Sequence, residues 1–139
     1  MTSPALDPQL FAVTVVRAAL PGSIVETLID GARAVSSASY VWINDGGGSS
    51  VYPGRLDTPT IEIVTYGNVS RSETLANAQA AQMALHTAWQ EQIVVPTAGH
   101  LSYFVVDQRP TLQQVDGLPA GVFRYYASYS LGLRASSAA

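Results

Sequence analysis

Residues 60–92, TIEIVTYGNVSRSETLANAQAAQMALHTAWQEQ, hold a strand, a turn and a helix in one run. Ile61, Ile63 and Thr65 alternate with Glu62, Val64 and Tyr66, the period of two of a strand over Thr60 to Tyr66. Gly67-Asn68 reads as a turn. Ser70-Arg-Ser-Glu73 has the form of a capping box, with the Ser70 hydroxyl on the Glu73 amide and Glu73 reaching back. The helix it opens is expected to run to about Gln92. Leu75, Ala78, Gln82, Leu85 and Trp89 form its stripe, with Ala76, Ala80, Met83 and Ala84 beside it. So many small residues allow a close approach to a sheet or to a neighbouring subunit.

Towards the N-terminus, Asp7-Pro8 predicts a second helix, with Asp as N-cap and Pro at the first helical position. It runs to about Leu20, before Pro21-Gly22, with Leu10, Phe11, Thr14, Val15 and Ala18 on its apolar face. Residues 24–30, IVETLID, fit a short strand or one helical turn, and the strand is preferred. GARAVSSAS, 31–39, reads as an irregular link, and Tyr40 to Asn44 as a strand. The stretch 44–59, NDGGGSSVYPGRLDTP, then reads as a flexible loop between strands.

Towards the C-terminus, Val95-Pro96-Thr-Ala-Gly99 breaks the long helix, and Leu101 to Asp107 is a strand. Arg109 to Gly121 is a polar loop, and Val122 to Arg134 a long strand with Phe123, Tyr125, Ala127, Tyr129, Leu131 and Leu133 facing a core. At full extension that strand would cover ~43 Å, so a bulge or overhang is expected in it. Residues 1–6 and the tail 135–139 are expected to be flexible. The fold class that follows is α+β: one domain, a mixed sheet of about five strands, and two helices packed on one face. The long helix fits a βαβ crossover, and the last two strands an antiparallel hairpin.

Composition narrows function. Of 139 residues only 12% are charged, about half the usual ~25%. All seven basic residues are arginine, and the net charge is −3, which argues against a nucleic-acid grip. A surface poor in charge suits burial against neighbours, because little must be desolvated on assembly. A compositional bias of the genome fits equally well. The chain has no cysteine, hence no disulfide or thiol chemistry. MTSPALDPQ lacks the basic and apolar regions of a signal peptide, so synthesis in a cytoplasm is expected, and no membrane partner.

No motif for catalysis stands out. GGGSS is not a phosphate cradle, since the chain has no lysine and a strand rather than a helix follows. His86 and His100 are fourteen residues apart and form no helical metal-ligand pair. No serine sits in a G-x-S-x-G elbow. Asp45 and Asp57 read as solvated turn residues, and Asn68-Val69-Ser70 as turn and helix cap rather than glycosylation sequon. Tyr103, Phe104, Phe123, Tyr125, Tyr126 and Tyr129 could stack bases, but negative net charge favours cross-strand packing. No cofactor, metal or catalytic residue is expected.

Several stretches together carry a resemblance. SYVWIND precedes the Gly-rich loop; RLDTPTIEIVTYG and the Ala-rich SRSETLANAQAAQMAL follow; PTLQQVDGLPAG leads into FRYYASYSLGLR; and the first helix ends in AALPG. In this pattern of small and aromatic residues the chain resembles the tail terminator family of long-tailed, siphovirus- or myovirus-like bacteriophages. The resemblance implies a virion structural protein forming a hexameric ring. The ring caps the tail tube, stops its polymerisation and meets the head-side connector, while genomic DNA only passes through the lumen. Its partners would be the same chain, the major tail tube protein and a head-tail connector or head-completion protein. Its place would be the head-proximal end of the tail, after assembly in the host cytoplasm.

The resemblance places Arg55 and Asp57 at an Arg-x-Asp position and Arg124 at an Arg-aromatic position. Arg55, Asp57, Arg109, Arg124, Gln113 and the glycines Gly46, Gly47 and Gly48 are the expected contact residues, with sheet edges as further candidates. A head-completion or neck ring protein of the same virion would share this size and composition. Two readings of other classes are a small hydrolase using Ser, His86 or His100, and Asp, and a monomeric ligand-binding domain.

Overall fold

The computed structural model describes residues 6–52 and 55–136. The order along the chain is α1 (Pro8–Ala19), β1 (Ile24–Glu26), α2 (Gly31–Ser36), β2 (Tyr40–Tyr52), β3 (Leu56–Gly67), α3 (Arg71–Gln90), β4 (His100–Leu112) and β5 (Phe123–Arg134). The strands form one sheet in the order β1-β2-β3-β5-β4. β1 is parallel to β2, and every other pairing is antiparallel. β3 and β4 therefore run parallel, with β5 between them and α3 as the crossover. The fold is α+β with a mixed five-stranded sheet, as the alternation and helix signals predict.

The expected N-caps form, without the return bond from Glu73 to the Ser70 amide that a full capping box would add. The Asp7 carboxylate accepts from the Leu10 amide at 3.0 Å, and the Ser70 hydroxyl from the Glu73 amide at 3.1 Å. Each satisfies one of the amides that a helix start leaves unpaired. α1 and α3 pack on one face of the sheet, where Phe11, Val16, Ile43, Ile61, Ile63, Leu85, Leu101, Tyr129, Leu131 and Leu133 form the main core. Each fully buried large apolar side chain there contributes about 1.5–3 kcal/mol. The opposite face carries a smaller cluster of Ala34, Tyr40, Val64, Tyr66 and Val122.

Several expectations need correction. Residues 31–39 are not an irregular link throughout, because α2 forms there and its Ala34 packs under the second face. Asp30 caps it by accepting from the Arg33 amide at 3.2 Å. Six residues are too few to show a helical period. β1 keeps only Ile24–Glu26 of the predicted 24–30. The buried side of α1 is Phe11, Ala12, Val13 and Val16, while Thr14 and Ala18 are exposed. α1 lies against both the sheet and α3, so the valines turn inward and the predicted face is rotated. On α3, Met83 is 60% exposed rather than part of the packed face.

The largest corrections concern the two polar segments. The stretch 44–59 is not a loop: β2 continues to Tyr52 and β3 begins at Leu56, pairing as an antiparallel arm. The 109–121 loop shrinks likewise, because β4 continues through Arg109 to Leu112. β5 supplies the reason in both cases. It stays regular over its whole length, lends a partner to β3 from Leu56 to Gly67, and lends another to β4. Backbone pairing along such a template overrides weak local propensity. A bulge or overhang is expected in β5, yet the extra residues at three register shifts all fall in β4. Residues 1–5 and 137–139 of the expected flexible ends lie outside the described residues. Their described neighbours are held: Leu6 packs on the core, and the Ala135 amide donates to the Arg55 carbonyl at 3.0 Å.

Candidate assembly surface

Side chains with catalytic potential are dispersed. His86 stands edge-on to Trp89 at 5.7 Å and to Phe104 at 6.2 Å between ring centres, the geometry of a packed aromatic. His100 Nδ1 lies 3.1 Å from Ser136 Oγ, and among the described residues no carboxylate orients that pair. A Ser-His-Asp arrangement needs the third member to hold the imidazole. Among the described residues no group of three His, Asp or Glu could hold a metal ion.

The β2–β3 arm gathers five of the eight expected contact residues. Gly46, Gly47 and Gly48 form a bulge, since Asp45 pairs with Ile61 while Gly48 pairs with Pro59. The Asp45 carboxylate accepts from the Gly47 amide at 2.9 Å. Gly47 and Gly48 take φ of 94° and 117°, and a Cβ on Gly48 would come within 2.7 Å of Pro59 Cα. Only glycine suits that site. A second shift between Ser50 and Tyr52 adds another extra residue to β2. Bulges of this kind increase the local twist of a strand pair. Asp57 accepts from the Ser50 hydroxyl at 2.6 Å. Arg55 stacks over the Tyr52 ring at 5.3 Å, and its amide donates to the Tyr52 carbonyl at 2.9 Å.

Arg124 and Gln113 lie at the other end of the sheet and are bonded to each other. Arg124 also donates to the Tyr66 hydroxyl at 3.0 Å and stacks on that ring at 5.6 Å. Gln113 is pinned by its amide, which donates to the Arg124 carbonyl at 2.8 Å. Both therefore hold the base of the 113–122 loop. Arg109 is exposed on the edge strand β4, four residues before Gln113, and belongs to neither group.

The sequence reading missed the apolar parts of the surface. Val51 and Tyr52 are 63% and 57% exposed at the tip of the arm, and Leu28 is 84% exposed after β1. The signal was present at the tip, as a Val-Tyr pair inside an otherwise polar stretch. A groove of about 520 Å³ also opens between α1 and α3, lined by Val15, Ala18, Ala84, Met83, Thr87 and Ile93 among others. Alanines on both helices leave it hollow, because no long side chain fills the space between the two ridges.

Two polar networks stiffen the second face. Tyr126 donates to Glu62, which also accepts from the Asn44 amide group at 2.9 Å. That bond to a carboxylate, with burial, raises the Tyr126 phenol above its ordinary range. Burial raises Tyr40 likewise, and its hydroxyl donates to Glu26 at 2.7 Å while accepting from the Asp30 amide at 3.0 Å. Glu26 also pairs with Arg33 at 2.7 Å. These tyrosines are structural hydrogen-bond donors rather than acids poised for chemistry.

No family model and no curated protein matches the sequence. Among solved structures, a chain in the virion of a native gene transfer agent (GTA) particle is similar, with a TM-score of 0.53 at 17% sequence identity. The match covers 94% of this chain and 92% of that one. What this chain shares with that virion chain, over nearly the whole length of both, is the fold.

Proposed function

We propose that the chain is a structural virion protein without enzymatic activity, and that it acts as a tail terminator. In this reading it forms a hexameric ring on the last ring of the tail tube, stops polymerisation and offers its far side to a head-side connector. The observation that carries the reading is the likeness in fold to a virion chain across nearly all of both lengths. The resemblance of the sequence to tail terminators supplies the finer role.

The arrangement of the surface supports a subunit that makes several different contacts. The arm tip lies where Leu56 pairs with Arg134, and the 113–122 loop follows β4 where Gly67 pairs with Phe123. The twelve residues of β3 separate these ends by roughly 40 Å. A subunit that joins a tube on one side and a connector on the other needs distinct surfaces far apart, and a ring needs two complementary side patches. Arg55 and Asp57 serve the arm end, Arg109 serves the outer strand, and Arg124 with Gln113 shapes the loop end.

The test is direct. Purified protein added to assembling tail tubes is expected to give tubes of normal length, capped at one end. Tubes that lengthen without limit in its presence overturn the terminator role. Imaging of the native particle separates this role from a neck ring, by placing the subunit on the tail side or on the portal side.

A further inference from the structure

We propose that the tip of the β2–β3 arm of one copy seats in the α1/α3 groove of a second copy, with Arg55 facing the C-terminal end of α3. The proposal deepens the ring reading and rests on it for the occupant, a second copy of this chain. Within one copy the tip is unseated, since Val51 and Tyr52 remain 63% and 57% exposed. A protrusion and a hollow on different parts of one surface join copies head to tail. Such heterologous contacts close into a ring when the rotation permits.

Charge selects this knob for this hollow. α3 ends without a basic residue in its last turn and is capped by Glu91, which is exposed. The carboxylate therefore adds to the negative pole of the helix, beside Ile93 at the end of the groove. Arg55 is exposed and, among the described residues, makes no ion pair, stacking only on Tyr52. The tip thus brings two apolar side chains for the groove and a cation for its acidic end.

The sheet edges are poorer candidates. β4 breaks its register three times and carries Asp107, Arg109 and Pro110, the features that guard an edge against pairing. The free edge of β2 is interrupted by its glycine bulge. Backbone pairing between copies is disfavoured at both, and the outer edge of β1 is only three residues long, which favours side-chain docking as the route.

The absence of cysteine makes the test clean. Protein with Val51→Cys is mixed with protein carrying Thr87→Cys, on assembling tail tubes, under mild oxidation. The expected product is a disulfide-linked dimer containing one of each. A Val51→Cys link to the tube protein, a Val51→Cys homodimer, no link at all, or an equal yield when Leu28→Cys replaces Val51→Cys each overturns the docking. Tube length, followed in the same mixtures, reports separately on the terminator role. Normal capping without the mixed dimer sinks the interface and leaves the function standing, whereas unlimited lengthening sinks the function. As a second readout, Arg55→Glu is expected to weaken ring formation roughly two- to fivefold per contact, the range of an exposed ion pair, and Glu91→Arg to restore it in the double variant. Additive losses in the double variant would overturn the pairing of these two residues. Circular dichroism of each variant confirms the fold.

Discussion

The helix-covered face of the sheet and the β2–β3 arm are built from the same strands under opposite rules. On the covered face Val41, Ile43, Ile61 and Ile63 are all but inaccessible, and Leu85 and Leu131 close over them. A few residues further along β2, every side chain from Asp45 to Tyr52 is exposed. The first region draws its stability from apolar burial. The second keeps strand geometry through backbone pairing and a few polar side-chain bonds, such as Ser50 to Asp57, and leaves Val51 and Tyr52 unburied by the fold. Buried and exposed side chains are thereby separated along single strands, so changes at the tip need not disturb the core.

The sharpest way to break this comparison is Leu85→Ala. Removing a fully buried leucine under the helix layer is expected to cost about 2–5 kcal/mol in urea unfolding. A cost below ~1 kcal/mol would show that the core does not carry the stability. Gly48→Ala comes next, at about 1–3 kcal/mol, because the positive φ and the nearby β3 backbone leave no room for a methyl group. Hydrogen exchange should show that loss in the arm while the amides of α3 keep their protection.

Thr65→Val sharpens the comparison with the opposite sign. Thr65 Oγ1 is buried and, among the described residues, has no hydrogen-bond partner. Valine has nearly the same shape, so a gain of about 1 kcal/mol is expected on thermal unfolding.

Tyr129 probes the core through pH. Its phenol is held above its ordinary value of 10.0 by burial. The folded state therefore keeps that proton more tightly than the unfolded chain does. The contribution is fully present below pH 10 and is lost progressively as pH rises beyond it. Tyr129→Phe gives up the bond to Gln82, about 0.5–1 kcal/mol at neutral pH, and should flatten the alkaline decline. An unchanged alkaline slope would move its origin elsewhere.

The smallest effect is expected at the tip. Val51→Ser with Tyr52→Ser should change stability by no more than ~0.5 kcal/mol, the range of surface substitutions, yet impair capping of tail tubes. Full capping by this variant would remove the arm from assembly.

Local pattern alone was enough for the caps of α1 and α3, the inward residues of β5 and the α+β class. Each of these is written in local order, as a cap before a helix or an alternation along a strand. The length of the arm was not legible there, because three glycines carry no strand signal of their own. Pairing decided it, with β5 templating β3 and β3 templating β2 to Tyr52. The rotation of α1 was also decided in three dimensions, by contact with two layers at once. The expected contact residues follow from turns and charges that cluster in the sequence, whereas the groove needed two helices brought side by side. Ala18 and Ala84 are sixty-six positions apart, and only their packing leaves a hollow between them. Long-range burial and backbone pairing lie beyond local pattern, and that is why the tertiary structure alone revealed the apolar surface of this protein.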